Sequence, residues 1–131
     1  MQITRSGSTA SAQGNEAWFT GRVRVDAPFS GSGALACATV TFEPGARTAW
    51  HTHPKGQTIL VLSGLGWVQR DGGAVEEVRP GDIVFFEPDE KHWHGASALC
   101  AMSHVAITES VEGVSTRWLD KVSDEQYRRA D

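Results

Sequence analysis

Short runs of β-type residues, separated by turn signals, carry most of the hydrophobic pattern along this chain. They fall at 18–25, 35–42, 57–62, 66–70, 74–79, 83–87, 101–107 and 115–118. Glu43-Pro44-Gly45, Ser63-Gly64 and Arg79-Pro80-Gly81-Asp82 supply the residues that tight turns favour, and Asp71-Gly72-Gly73 predicts a hairpin. The one helical signature is Ser123, an N-cap, with Gln126 three residues on in a capping-box arrangement. It predicts a helix over 124–130, too short to stand alone and so packed on the strands or on a neighbouring subunit. Many short strands with Gly/Pro turns predict an all-β sandwich or barrel rather than an α/β fold.

Strand parity sorts the side chains further. Ala38 and Val40 share one face of their strand, and His104, Ala106 and Thr108 share one face of theirs. If His104 points inward, a small pocket forms with Ala38, Val40 and Thr108 in its wall. Trp50, Trp67 and Trp93 flank the histidine-bearing segments and, like Phe19 and Phe42, belong either to the pocket wall or to the core. We assign Phe19 and Trp50 to the wall.

The candidate chemistry lies in one spaced pattern. Gly45 is followed after five residues by His51-Thr52-His53, after three more by Gln57, and after six more by Gly64. Downstream, Gly81 precedes His92 by eleven residues, and His94 follows two later. Alternate strand residues aim the same way, so His51 and His53 reach one cavity. With His92 and the Gln57 amide oxygen they form a candidate site for a first-row divalent metal, whose identity imidazole ligands do not select. A Glu in place of Gln57 would cancel one unit of the metal's charge; an amide cancels none, so the site keeps a formal +2 and acidifies bound hydroxyls. His94 is the candidate acid/base, since a nearby dication disfavours imidazolium and leaves the proton-accepting form. His104 is placed behind it as a supporting histidine.

Composition narrows the classes. At 131 residues the chain is read as a single domain, 1–131, with a polar N-terminal arm over 1–15 and the short helix at its other end. Charged residues are 21% and the net charge is −4, which disfavours nucleic acid as a partner. No apolar run has the length of a membrane span, and the arm lacks the apolar segment of a secretory signal. Cys37 and Cys100 are isolated and are expected as free, buried thiols in a cytoplasmic protein. Free sheet edges and a terminal helix predict a homo-oligomer, a dimer or tetramer.

The Gly45–Gly64 pattern resembles the first motif of the cupins, with Gln57 where most members have Glu, and Gly81 to His92 resembles the second. In that second stretch Pro88 comes one residue late, Asp89 stands where Gly is usual, and Ala96 where Asn is common. The resemblance implies a jelly-roll barrel. It extends to the small bacterial manganese-dependent hydroxynitrile lyases through 40–53, Gly56-Gln57-Thr58, 66–70, 90–96, Trp18-Phe19-Thr20-Gly21, Thr116-Arg117-Trp118 and 124–128, nearly the whole chain. It implies His51, His53, Gln57 and His92 as ligands of Mn2+ (with Fe2+, Ni2+ and Zn2+ as other candidates), and Ala38, Val40 and His94 at the substrate. It also implies cleavage of cyanohydrins such as mandelonitrile to aldehyde and HCN. Thr108 stands where the best-known relatives carry Gln, which leaves the pocket's polarity open. An Fe- or Ni-dependent dioxygenase and a non-catalytic small-molecule-binding cupin are the rival readings, since both use the same ligands.

Overall fold

The computed structural model describes residues 1–128 as two curled antiparallel sheets closed around one interior. In chain order the strands are β1 (Ala12–Gln13), β2 (Phe19–Thr20), β3 (Val23–Ser30), β4 (Leu35–Phe42), β5 (Arg47–Thr48), β6 (His51–Thr52) and β7 (Gln57–Gly64). They continue with β8 (Gly66–Arg70), β9 (Glu76–Val78), β10 (Ile83–Phe86), β11 (His92–Ala96), β12 (Met102–Glu109) and β13 (Arg117–Trp118), followed by α1 (Asp124–Tyr127). One sheet runs β1-β3-β4-β12-β7-β10. The other runs β13-β6-β11-β5-β2, with β8 on β11 and β9 on β8. This is the all-β barrel that the pattern predicts and the jelly roll that the resemblance implies.

Alternation builds the core. Val40 and Phe42 of β4, Ile59 and Val61 of β7, Phe86 of β10 and Met102 of β12 point between the sheets and are buried. Register carries the inward face across the sheet: Val40 lies opposite His104, Ala38 opposite Ala106, and Thr108 between Ala36 and Gln57. A second cluster, Trp50, Trp93, Val122 and Tyr127, forms under the C-terminal segment. Arg47 pins that segment: its guanidinium donates to the Val122 carbonyl (2.7 Å), pairs with Asp124 (2.8 Å) and stacks on the Tyr127 ring.

Departures from the sequence pattern have local causes. The run 18–25 breaks at Gly21, whose φ of +82° turns the chain tightly against Ala46. Strands β5, β6 and β11 are too short, or too rich in His, Thr and Gly, to stand out by composition. The turn at Gly64 brings its α-carbon so close to the Ala101 carbonyl that any β-carbon would collide there. The helix has its capping box at Ser123 but ends at Tyr127, because Arg128 is extended (φ −60°, ψ 124°). The last part of the 124–130 expectation, from 129 on, lies outside the described residues. The cysteines are free, yet not both buried as expected: Cys37 is half-buried, and Cys100 is exposed in the loop before β12.

Candidate metal centre

The ladder between β6 and β11 puts His51 directly opposite His92. His53 follows at the end of β6, and Gln57 opens β7 after the turn through Gly56. His51, His53 and His92 are buried and bring their ligand nitrogens within 4.8 Å of one another. The loop before His92 departs from the usual glycine: Asp89 itself takes the left-handed conformation (φ 61°), and its N–H donates to the His53 carbonyl. Asp89 thus holds a conformation that glycine adopts more readily, and its N–H ties the segments that carry His53 and His92 together.

Hydrogen bonds behind the rings fix their tautomers. Nδ1 of His51 donates to the Ala49 carbonyl (2.8 Å), that of His53 to the Ser115 carbonyl (2.8 Å), and that of His92 to the Glu90 carbonyl (2.7 Å). A carbonyl only accepts, so each proton sits on Nδ1 and each Nε2 presents a bare lone pair. The Gln57 oxygen, also an acceptor, lies 3.5 Å from Nε2 of His51 and 3.1 Å from that of His92, while Nε2 of His53 has no partner. Four buried acceptors converging without a donor among them is unfavourable unless a cation sits between them. The donor set thus fits a divalent ion.

All five histidines of the chain meet here. Burial, reinforced by neighbouring imidazoles, holds His51 at about 3 and His92 at about 2, against an ordinary 6.5. Burial lowers His53 as well, drives His94 well below its ordinary value, and puts His104 at about 4. His94 Nε2 faces the Gln57 oxygen at 3.1 Å, and its Nδ1 lies 2.9 Å from Nε2 of His104. The Thr48 hydroxyl accepts from the His94 backbone N–H at 3.2 Å, which seats this strand residue.

A cavity of about 610 Å³ opens onto the centre. Phe19, Ala38, Val40 and Thr108 line it together with His51, His53, Gln57, His94 and His104. His92 lies behind, fully buried, with the Phe86 ring stacked on it at 3.7 Å. Trp50 does not line the cavity. It points into the cluster with Trp93, Val122 and Tyr127, because His51, its neighbour on the strand, takes the inward face. Sequence reasoning did not single out Trp18, Trp118, Ser115 and Thr116 as wall residues. Trp118 packs over His51 at 4.8 Å and stacks on Trp18 at 5.1 Å. Its place on β13, paired with β6, was invisible without knowing that pairing. Among the described lining residues there is no Asp, Glu, Lys or Arg, so nothing in the wall offsets a dication's charge.

A β-barrel with three buried histidines converging on one candidate metal site is typical of the cupins, and this chain belongs to the cupin family. The Cupin domain pattern matches residues 38–101. The chain is 58% identical to the (R)-mandelonitrile lyase of Granulicella tundricola, over 98% of this chain and 100% of that protein. A cupin-like protein from Thermotoga maritima superimposes with a TM-score of 0.84 at 36% identity, covering 98% of this chain and 96% of its own. The polyketide cyclase RemF of Streptomyces resistomycificus shares the fold alone, with a TM-score of 0.76 at 18% identity over 97% of this chain and 90% of its own.

Proposed function

We propose that this protein is a metal-dependent hydroxynitrile lyase that cleaves and forms aryl cyanohydrins such as mandelonitrile. The observation that carries the reading is the convergence of three buried histidine nitrogens and the Gln57 oxygen, all uncharged, with the buried His94 beside them. The 58% identity to an (R)-mandelonitrile lyase over the whole length supports the same reaction. His51, His53, Gln57 and His92 would hold the ion, with Mn2+ as the proposed metal. When bound, it supplies a Lewis acid that acidifies a hydroxyl brought to the site.

His94 does the proton work. Burial keeps it neutral at physiological pH, so its Nε2 accepts the cyanohydrin hydroxyl proton. The bond between the carbinol carbon and the nitrile carbon then breaks. Its electron pair leaves on cyanide, while the carbinol C–O becomes the aldehyde carbonyl. The buried imidazolium is a strong acid, and it returns the proton to cyanide to give HCN. Phe19, Ala38 and Val40 give the aryl group an apolar berth, and the small Ala38 leaves it room.

Among the described residues no helix is long and apolar enough to cross a membrane. The two free cysteines support a cytoplasmic setting.

The test is benzaldehyde release from racemic mandelonitrile by metal-stripped protein reloaded with Mn2+, Fe2+, Ni2+ or Zn2+. Release above the spontaneous rate, restored by Mn2+ and absent in His53→Ala, is expected. No release with any of the four metals overturns the reading, and oxygen uptake would then test for a dioxygenase.

A further inference from the structure

The cavity is larger than mandelonitrile needs. Its volume of about 610 Å³ would take roughly twenty waters at ~30 Å³ each, whereas mandelonitrile has about ten non-hydrogen atoms and leaves roughly half of it unfilled. One end of the space is the metal centre, and strand register shows where the rest lies. Gln57 pairs with Thr108, Thr108 with Ala36, and Ala36 with Ser30, one inward row across β7, β12, β4 and β3. Three steps of ~4.8 Å carry that row about 14 Å from the ligand amide to the rim, where Ser30 is exposed. In the row beside it Ala106 lies opposite Ala38. Between the metal centre and the rim the floor is therefore Thr108 and three alanines, short side chains that leave the space above them open.

Strand β3 departs from regular pairing in a way that keeps this space clear. Asp26 pairs with Thr39 but Phe29 with Cys37, so Ala27 and Pro28 together face Ala38 in a β-bulge. Regular pairing would bring Phe29 opposite Ala36, into the inward row; the bulge puts Ser30 there instead. Ala27 takes a φ of 47°, in the left-handed region that costs any residue with a β-carbon, and Pro28 has no N–H to leave unpaired. Strain of this kind is kept only where the surrounding structure holds it, and its effect here is a clear outer half of the cavity.

The opposite wall is aromatic. Trp118 packs over His51, and Trp18 stacks on Trp118 with the two planes 6° apart, so ring faces lead outward from the metal centre in steps of 4.8 and 5.1 Å. Trp18, the outermost, is exposed at the rim. Among the described lining residues none is charged, so a charged substituent would lose its hydration there without gaining a partner.

We infer that the outer half of the cavity, floored by Ala36, walled by Trp18 and edged by Ser30, is a subsite for a second, uncharged aromatic ring, and that two-ring cyanohydrins are better substrates than mandelonitrile. The cyanohydrin part of that substrate follows from the lyase reading, and the second ring from the cavity alone. The first ring rests on Phe19, Ala38 and Val40, and the second, in line with it, lies over Ala36.

The test compares para-phenoxymandelonitrile with mandelonitrile as substrates of the Mn2+-reloaded full chain. Without turnover, calorimetry compares binding of para-phenoxybenzyl alcohol with that of benzyl alcohol. Burial of one more ring should give the two-ring nitrile roughly tenfold or higher kcat/KM, carried by KM, and the two-ring alcohol a similarly tighter Kd. Ala36→Leu fills the run and Ser30→Phe closes the exposed rim without touching the core; each should erase both ratios, with β-sheet circular dichroism retained. Equal affinity and equal kcat/KM for one- and two-ring compounds overturn the subsite. So do ratios unchanged in folded Ser30→Phe, which covers the case where Ala36→Leu does not fold. Cleavage of neither nitrile, with the binding ratio present and lost in the variants, overturns the lyase reading and supports the subsite.

Discussion

His104 Nε2 lies 2.9 Å from His94 Nδ1, and both rings are buried. That contact holds the His94 ring with its other nitrogen toward Gln57, where the proposed mechanism takes the substrate hydroxyl proton. His104→Phe keeps the bulk and removes the nitrogen. Its kcat for mandelonitrile should fall roughly 10–100-fold, the range typical of groups that orient a neighbouring functional residue. KM and metal content should stay as they are, and His104→Gln, which can still hydrogen-bond Nδ1, should recover part of the loss. Removing the proton acceptor itself in His94→Ala should cost about 10²–10⁴ in kcat. Wild-type kcat in His104→Phe would show that the pair is only packing.

Gln57 decides the charge of the centre. Gln57→Glu keeps the shape and the oxygen, and adds a negative charge beside the three imidazoles of the proposed metal site. The metal should bind more tightly and release more slowly from chelators. Lyase turnover should drop by about tenfold or more, because a less positive site stabilises departing cyanide less well. Chelator competition and steady-state kinetics on the same preparation check both halves. Tighter metal with undiminished turnover would remove the retained +2 charge from the mechanism.

How far the site could be read in advance follows from which interactions are local. His51, His53 and Gln57 lie within seven residues, and their spacing alone brought them to one cavity. The inward set of Ala38, Val40, His104 and Thr108 could be sorted by parity, but only the β4–β12–β7 register shows that they share one wall. Trp50 went the other way for a related reason: adjacent extended residues face opposite sides, and the buried His51 claims the interior. Ser115 and Trp118 were beyond reach, because they enter through pairing between segments more than sixty residues apart.

Asp89 stands in a backbone conformation that disfavours L-residues with a side chain, at φ 61°. Asp89→Gly removes that strain, offset in part by the greater freedom of glycine in the unfolded chain. The variant should gain about 0.5–1 kcal/mol of stability, read as a higher midpoint in urea or heat. Metal affinity should not fall, since the Asp89 N–H that bonds the His53 carbonyl is kept. An unchanged or lower midpoint would mean that the aspartate side chain stabilises the loop by more than its backbone costs.

Five histidines held neutral make the metal-free protein sensitive to mild acid. In the unfolded chain each titrates near the ordinary 6.5, whereas in the fold His104 stays neutral to about 4, His51 to about 3 and His92 to about 2. Between those values the unfolded state binds protons that the native state refuses, so stability is full above about pH 6.5 and falls as pH drops below it. Each histidine contributes about 1.4 kcal/mol per pH unit until its own folded value is reached. Metal-stripped protein should therefore lose most of its thermal stability between pH 7 and pH 5. Metal-loaded protein should resist further into acid, until protons displace the ion from its ligands. Replacing the inward His104 with Phe should flatten the metal-free profile by one histidine's share, whatever it does to absolute stability. A melting temperature constant from pH 7 to pH 5 in the stripped protein would mean that the cavity admits enough water to solvate imidazolium, and would remove the buried-neutral premise on which the role of His94 rests.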